Sequence, residues 1–263
     1  MRGHGDGVDV RSSVTTHLEL AGRTALVTGA TSGIGRAIAL ELADHGADVI
    51  VHGRDPARGT RLVDEIVERG ARGRFIAADL FEADEAMRLA ADAGEIDMLV
   101  NNAGIWDLST TPNTSAESFD RQFAINTRAP FLLVSSLAPS MAERGFGWIV
   151  NITSTAAASP APVGAAYRAS KAATELLTRS WCTEFGPRGV RVNAVAPGPV
   201  RSSGTVEMMG AEIEALGQAN IRGRVGEPQE IADIVLYLVS ERSTYINGAV
   251  VVASGGLLST VRS

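Results

Sequence analysis

Short, nearly continuous apolar runs alternate along this chain with stretches in which apolar residues recur every three or four positions. The runs Arg23-Thr-Ala-Leu-Val-Thr28, Asp48-Val-Ile-Val-His52, Arg74-Phe-Ile-Ala-Ala78, Asp97-Met-Leu-Val-Asn101, Trp148-Ile-Val-Asn-Ile-Thr153, Gly189-Val-Arg-Val-Asn-Ala-Val-Ala196 and Ala249-Val-Val-Val-Ala253 predict strands. The Trp148 run has the composition of a fully buried one. Helical spacing follows the first run at Ile34, Ala37, Ile38 and Leu42, and further helices are expected over 56–69, 82–93, 115–128 and 130–142. Another runs from Gly164 to about Phe185 through Ala172, Leu176, Leu177 and Trp181, and Pro228 sits in the first turn of one opening at Gly226-Glu-Pro-Gln-Glu230.

Composition narrows the class. With 263 residues, 45% of them hydrophobic, and a mean hydropathy of +0.08, the chain has material for one large or two small domains. Such a length buries a core without disulfides or metals. The net charge of −6 is spread along the sequence and argues against a nucleic-acid surface. No apolar run approaches the ~18 residues of a membrane span. Residues 1–18 lack the apolar segment of a secretory signal and read as a disordered tail before a single domain over 19–263. The one cysteine, Cys182, beside Trp181 in a helix, suits packing and a reducing cytoplasm. His4, His17, His45 and His52 have no ligand spacing, so no metal site is expected.

Candidate chemistry begins at the first turn. Gly29, Gly33 and Gly35 stand between a strand and a helix, where glycines allow a tight turn, a close approach to a pyrophosphate and close helix packing. At the end of the second strand, Gly53 removes the carboxylate that would bond a ribose 2′-hydroxyl, and Arg54 supplies a planar cation for a 2′-phosphate. NADP(H) is therefore favoured, with NAD(H) kept open because Asp55 follows directly and Ser32 is not basic. Tyr167 and Lys171 fall on one helix face. A cation at that distance favours a phenolate by roughly 1–3 units, bringing a Tyr of ordinary pKa ~10 towards neutral exchange. Residues 201–220, with Ser202, Ser203, Gly204, Met208, Met209 and Gly210, combine small hinges with adaptable side chains and suggest a lid.

Thr28-Gly-Ala-Thr-Ser-Gly33-Ile-Gly35, Asn101-Asn-Ala-Gly104, Asn126, Ser154, Tyr167-x-x-x-Lys171 and Pro197-Gly198, in this order and spacing, resemble the compact branch of the short-chain dehydrogenase/reductase family. They span nearly all of the chain after residue 20 and are similar to its 3-oxoacyl-(acyl-carrier-protein) reductases and related ketoreductases. The resemblance implies a Rossmann-type, doubly wound α/β fold with a mainly parallel seven-stranded sheet and helices on both faces. It implies a cofactor site formed by Gly29, Thr31, Ser32, Gly33, Ile34, Gly35, Arg54, Asp79, Leu80, Asn102, Ala103, Gly104, Tyr167, Lys171, Pro197, Gly198 and Val200. It also implies a catalytic set of Asn126, Ser154, Tyr167 and Lys171, and a homotetramer packed through residues 130–144 and 164–186.

The implied reaction interconverts a ketone and a secondary alcohol. Tyr167 would be general acid/base, Ser154 would bond the carbonyl oxygen, Lys171 would tune Tyr167 and bond the nicotinamide ribose, and Asn126 would hold a water. An NAD-dependent alcohol or polyol dehydrogenase, a dehydratase or epimerase using the same Tyr and Lys, and a cofactor-binding regulatory protein on the same fold are the alternatives. The apolar stretch 155–166 and Met208/Met209 suggest an apolar pocket wall for a small-molecule carbonyl. Ser254 departs from the Asp-Gly-Gly with which the family usually ends its last strand.

Overall fold

Residues that read as continuous apolar runs lie in a sheet covered on both sides. The structure, a computed structural model, describes residues 19–257, so the tail expected over 1–18 lies outside the described residues. Its strands are β1 (Thr24–Val27), β2 (Asp48–Gly53), β3 (Gly73–Ala77), β4 (Met98–Asn101), β5 (Gly147–Ile152), β6 (Val190–Pro197) and β7 (Val250–Ala253). They pair in the order β3-β2-β1-β4-β5-β6-β7, every pair parallel. Parallel neighbours require crossovers, and the helices supply them.

Side-chain alternation divides the core in two. Val27, Val49, Val51, Met98, Val100 and Val150 face a layer with Ile38 and Leu42 of α1 (Gly33–Asp44), Leu62 and Ile66 of α2 (Pro56–Glu68), and Ile231 and Val235 of a later helix, Pro228–Leu238. Leu26, Ile50, Leu99 and Ile149 face the opposite layer, with Leu89 of α3 (Ala83–Ala93), Leu133 and Met141 of a helix over Ala129–Arg144, and Trp181 of a helix over Ala165–Phe185. Cys182 packs against that second layer, and burial pushes its thiol up, away from the reactive form.

The expected single helix over 115–128 is instead α4 (Ala116–Phe123) followed by a π-turn, Ala124–Arg128, that leads into α5 (Ala129–Arg144). The wider turn accompanies contacts with distant parts of the chain. The main-chain carbonyl of Asn126 accepts the Thr174 hydroxyl at 2.8 Å, and the Asn126 side chain is bonded to the backbone of Ile105. Such turns concentrate at functional positions. Beyond it lie α6 (Ala165–Phe185), α7 (Ser203–Met209), α8 (Glu212–Gln218) and α9 (Pro228–Leu238). Glu227 and Glu230 form a capping box that starts α9, with Pro228 where its missing N–H costs nothing.

The chain runs outward from β1 through β2 to β3, then returns to lay β4 on the other side of β1. Between the carboxyl ends of β1 and β4 the crossovers diverge, which is where open α/β sheets leave a crevice. Among the described residues, no helix is long and apolar enough to cross a membrane.

Candidate active site

A cleft of about 620 Å³ opens at those carboxyl ends. At one end the Gly29–Gly35 turn forms its floor. Glycine is required here by contact: a Cβ on Gly35 would fall 2.3 Å from the Gly29 carbonyl oxygen and 2.4 Å from Asn102 Nδ2. Asn102 itself donates to the carbonyls of Thr28 (2.9 Å) and Gly29 (3.1 Å), tying β4 to the turn. Its neighbour Asn101 donates to Asn151 Oδ1 at 2.9 Å, and Asn151 donates to Thr178, so the buried amides clamp the sheet. The bare backbone of the turn, at the N-terminus of α1, fits the diphosphate of a dinucleotide. All the expected cofactor positions, Gly29, Thr31 to Gly35, Arg54, Asp79, Leu80, Asn102 to Gly104, Tyr167, Lys171, Pro197, Gly198 and Val200, line this one cleft.

At the β2 end of the cleft, Gly53 is enclosed: a Cβ there would lie 2.5 Å from Thr31 Cγ2, so a carboxylate-bearing side chain has no room. Asp55 also lines the cleft, with its carboxylate engaged at the start of α2. Its Oδ1 takes the N–H groups of Ala57 (2.9 Å) and Arg58 (3.2 Å) as the N-cap of α2. Arg54 stands exposed at the rim.

Three of the four expected catalytic residues meet at the other end. Ser154 extends from the end of β5, Tyr167 and Lys171 lie one turn apart on α6, and all three line the cleft. The Ser154 hydroxyl and the Tyr167 phenol are neighbours in the cleft, and Lys171 Nζ donates to the Ile152 carbonyl at 2.9 Å. Asn126 stands behind them rather than on the wall. Its Oδ1 accepts from Ile105 N–H (2.9 Å), and its Nδ2 donates to Ile105 O (2.8 Å) and Ser170 Oγ (3.0 Å). A Cβ on Gly104 would lie 3.1 Å from Lys171 Nζ and 3.2 Å from Asn126 Oδ1, so Gly104 keeps open the space between the two.

The electrostatics correct one expectation. Burial pushes the Tyr167 phenol up, and the Ser154 hydroxyl and the Arg168 guanidinium only partly oppose it. Lys171 does not supply the downward pull expected of it. It is 5% exposed, burial lowers its ammonium to about 8, and its donor is turned to a carbonyl.

Several cleft residues had no motif to announce them. Trp106, Leu108, Ile213, Leu216 and Leu257 give the substrate end an apolar wall beside Met209. Met208 instead takes the Trp106 indole N–H on its sulfur, linking α7 to the strand β4 loop. Ser202 lies over the glycine turn, where a Cβ on Gly33 would come within 3.0 Å of Ser202 Cβ. Ser254 packs its backbone on Gly198 and accepts Leu257 N–H with its hydroxyl, a structural use for the unusual residue. His52 was set aside for want of ligand spacing, yet it supports the turn. Its Nδ1 accepts Gly29 N–H at 3.1 Å, which leaves Nε2–H to donate to Ala78 O at 3.1 Å. Among the described residues no group of three His, Cys, Asp or Glu is placed to hold a metal ion.

Comparison with known proteins agrees with this geometry. Residues 29–258 match the family model described as enoyl-(acyl carrier protein) reductase. The human protein named dehydrogenase/reductase SDR family member 4 is 36% identical over 252 residues, 93% of this chain and 91% of the relative. The 3-oxoacyl-(acyl-carrier-protein) reductase FabG of Rickettsia bellii is 35% identical over 241 residues, covering 92% and 99%. A solved structure, described as a putative NAD(P)-dependent gluconate 5-dehydrogenase from Beutenbergia cavernae with bound NADP, superposes with a TM-score of 0.88. It is 35% identical, covering 93% of this chain and 100% of its own.

His52 predicts an acid dependence of stability. Burial holds its imidazole down to about 4, whereas an unfolded imidazole titrates near ~6.5. Between those values the unfolded chain binds more protons, so stability rises with pH there. The contribution of the neutral ring is therefore complete above ~6.5 and lost as the pH falls toward about 4. Urea unfolding at about pH 7.5 and about pH 4.5 should show the parent losing ~2–3 kcal/mol more than His52→Gln, which keeps an acceptor and a donor but does not titrate. Equal losses would remove His52 as the cause.

Proposed function

The chain belongs to the short-chain dehydrogenase/reductase family of oxidoreductases, and from that premise we propose that it is an NADPH-linked reductase of neutral, largely apolar ketones. The observation that carries this reading is the convergence of the Ser154 and Tyr167 hydroxyls and Lys171 Nζ on one end of a cleft whose other end is a glycine cradle.

Bound NADPH supplies the hydride that reduces the carbonyl carbon. Gly29–Gly35 would hold the diphosphate, Asn102–Gly104 and Pro197–Val200 would border the nicotinamide half, and Asp79 and Leu80 would border the adenine, all of them on the wall of this cleft except Ala30. Ser154 donates a hydrogen bond to the carbonyl oxygen as negative charge grows on it. Tyr167 gives its proton to that oxygen and completes the alcohol; in the reverse direction it removes the proton. A phenol held up by burial is a proton donor at neutral pH, the state that reduction needs. Lys171, kept buried and close to neutral balance, bonds the ribose and replaces the proton through the space at Gly104 and Asn126.

The cofactor choice rests on Gly53, Arg54 and Asp55. With no carboxylate at Gly53 and Asp55 Oδ1 engaged as the N-cap of α2, Arg54 and Arg58 are the cations that this end of the cleft offers to a ribose phosphate. The apolar wall of Trp106, Leu108, Met209 and Leu216 favours a hydrocarbon-bearing ketone over a polyol. The segment 201–220 acts as a lid, and the protein assembles as a homotetramer through α5 and α6, where Phe131 and Leu176 are exposed. It works in a reducing cytoplasm.

Three outcomes follow. Tyr167→Phe should lower kcat for ketone reduction by at least ~10²-fold while leaving the NADPH Kd unchanged, whereas Lys171→Ala should lower kcat and raise the NADPH Kd. A Tyr167→Phe rate within tenfold of the parent would dismiss Tyr167 as the proton carrier. Arg54→Ala should weaken NADPH binding by ~1–3 kcal/mol in fluorescence titration and leave NADH little changed. NADH as the tighter ligand of the parent would reverse the cofactor assignment. Light scattering at micromolar concentration should give the mass of four chains, and a monomer would contradict the assembly.

A further inference from the structure

Between Ser154 and α6 the backbone has few bonds of its own. Its internal ties end with Ala158 N–H to Thr155 O and Ser159 N–H to Ala156 O. Pro160 and Pro162 have no N–H to offer. The next backbone bond comes only at Gly164, whose N–H reaches Ser109 O at 2.9 Å. Ala158, Pro160, Ala161 and Pro162 are exposed. Yet this segment joins the two hydroxyl-bearing residues of the site, and its Ala156 and Ser159 form a wall of the cleft.

One side chain gathers it. Arg168, next to Tyr167 in the first turn of α6, is half-buried instead of extended into solvent. Its Nε donates to Val163 O at 3.0 Å, and its Nη1 donates to Ser159 O and lies 3.5 Å from Ala156 O. All three partners are neutral carbonyls of one segment. A guanidinium suits this task because its donors are fixed in a plane and point in several directions at once, whereas an ammonium is a point charge on a flexible stem. The guanidinium also lines the cleft itself.

We propose that Arg168 is a positioning residue of the reductase centre, which holds segment 155–163 closed so that the substrate oxygen meets Ser154 and Tyr167 together. The inference rests on the ketone-reductase reading above. Charge acts in the same sense, since the guanidinium favours the phenolate against the effect of burial. The cofactor end of the cleft is built from other elements, β1, β2 and β4 with their turns, and does not depend on this clamp.

The test compares the parent with Arg168→Ala and Arg168→Lys, using NADPH and a small β-keto ester, ethyl acetoacetate, as probe. A misplaced wall should lower kcat/KM of Arg168→Ala by ~10–10²-fold, chiefly through KM, with the NADPH Kd within about twofold and Tm nearly unchanged. Arg168→Lys, which keeps the charge but meets one carbonyl at a time, should fall between the two. Parental kcat/KM in both variants would overturn the proposal, as would a loss that tracks equal losses in NADPH affinity and Tm. Should the alanine variant fail to fold, a folded lysine variant with parental kcat/KM would overturn it alone. A parent that binds NADPH but reduces neither this ester nor any of a panel of ketones would overturn the reductase reading, and the clamp with it.

Discussion

Asn102 carries the connection on which the site depends. From the end of β4 it donates to two successive carbonyls of the glycine turn after β1, and its amide nitrogen occupies the space that any side chain on Gly35 would need. The two strands that flank the crevice are thereby locked at one separation. Every group on β4 and its following loop, from Gly104 to Trp106, then has a fixed distance to the cradle. Ser154 inherits the same frame, because β5 pairs with β4 in register and the buried Asn101 and Asn151 amides bond across that pair.

Charge inside this frame is arranged against the simplest picture of a Tyr and Lys pair. Both groups are desolvated, and desolvation favours the neutral form of each, a phenol and an amine. Burial therefore works against a resting phenolate–ammonium pair, and with the ammonium lowered only to about 8 it is the phenol that burial keeps neutral near pH 7. Two arginines stand elsewhere on the cleft: Arg168 against carbonyls of segment 155–163, and Arg54 at the rim beside β2.

Much of this was readable because it depends on local pattern. Continuous apolar runs predicted strands, the Trp148 run a fully buried one, and the opposite placement of Leu26 and Val27 in two cores is the reason the runs are unbroken. Glycine spacing located the cradle. What escaped were features produced by contacts distant in sequence. The π-turn at Ala124–Arg128 follows from Thr174 and Ile105, neither of which is near it in the chain. His52 had no spacing to mark it because its partners are a backbone N–H and a backbone carbonyl from two different turns. The protonation of Tyr167 could not be judged from a one-turn separation, because burial outweighs the neighbouring cation.

The enclosure of Gly53 reaches beyond the binding of any one dinucleotide. Exchanging the ribose preference of a cleft like this one is commonly pictured as a matter of a single acidic residue at the end of β2. Here a side chain at position 53 would come 2.5 Å from Thr31 Cγ2 in the glycine turn, so Thr31 would have to move to admit it. Positions 31 and 53 therefore form a mutational pair. Any side chain added at 53 calls for a matching change at 31, so the two ends of the cradle can be altered only together.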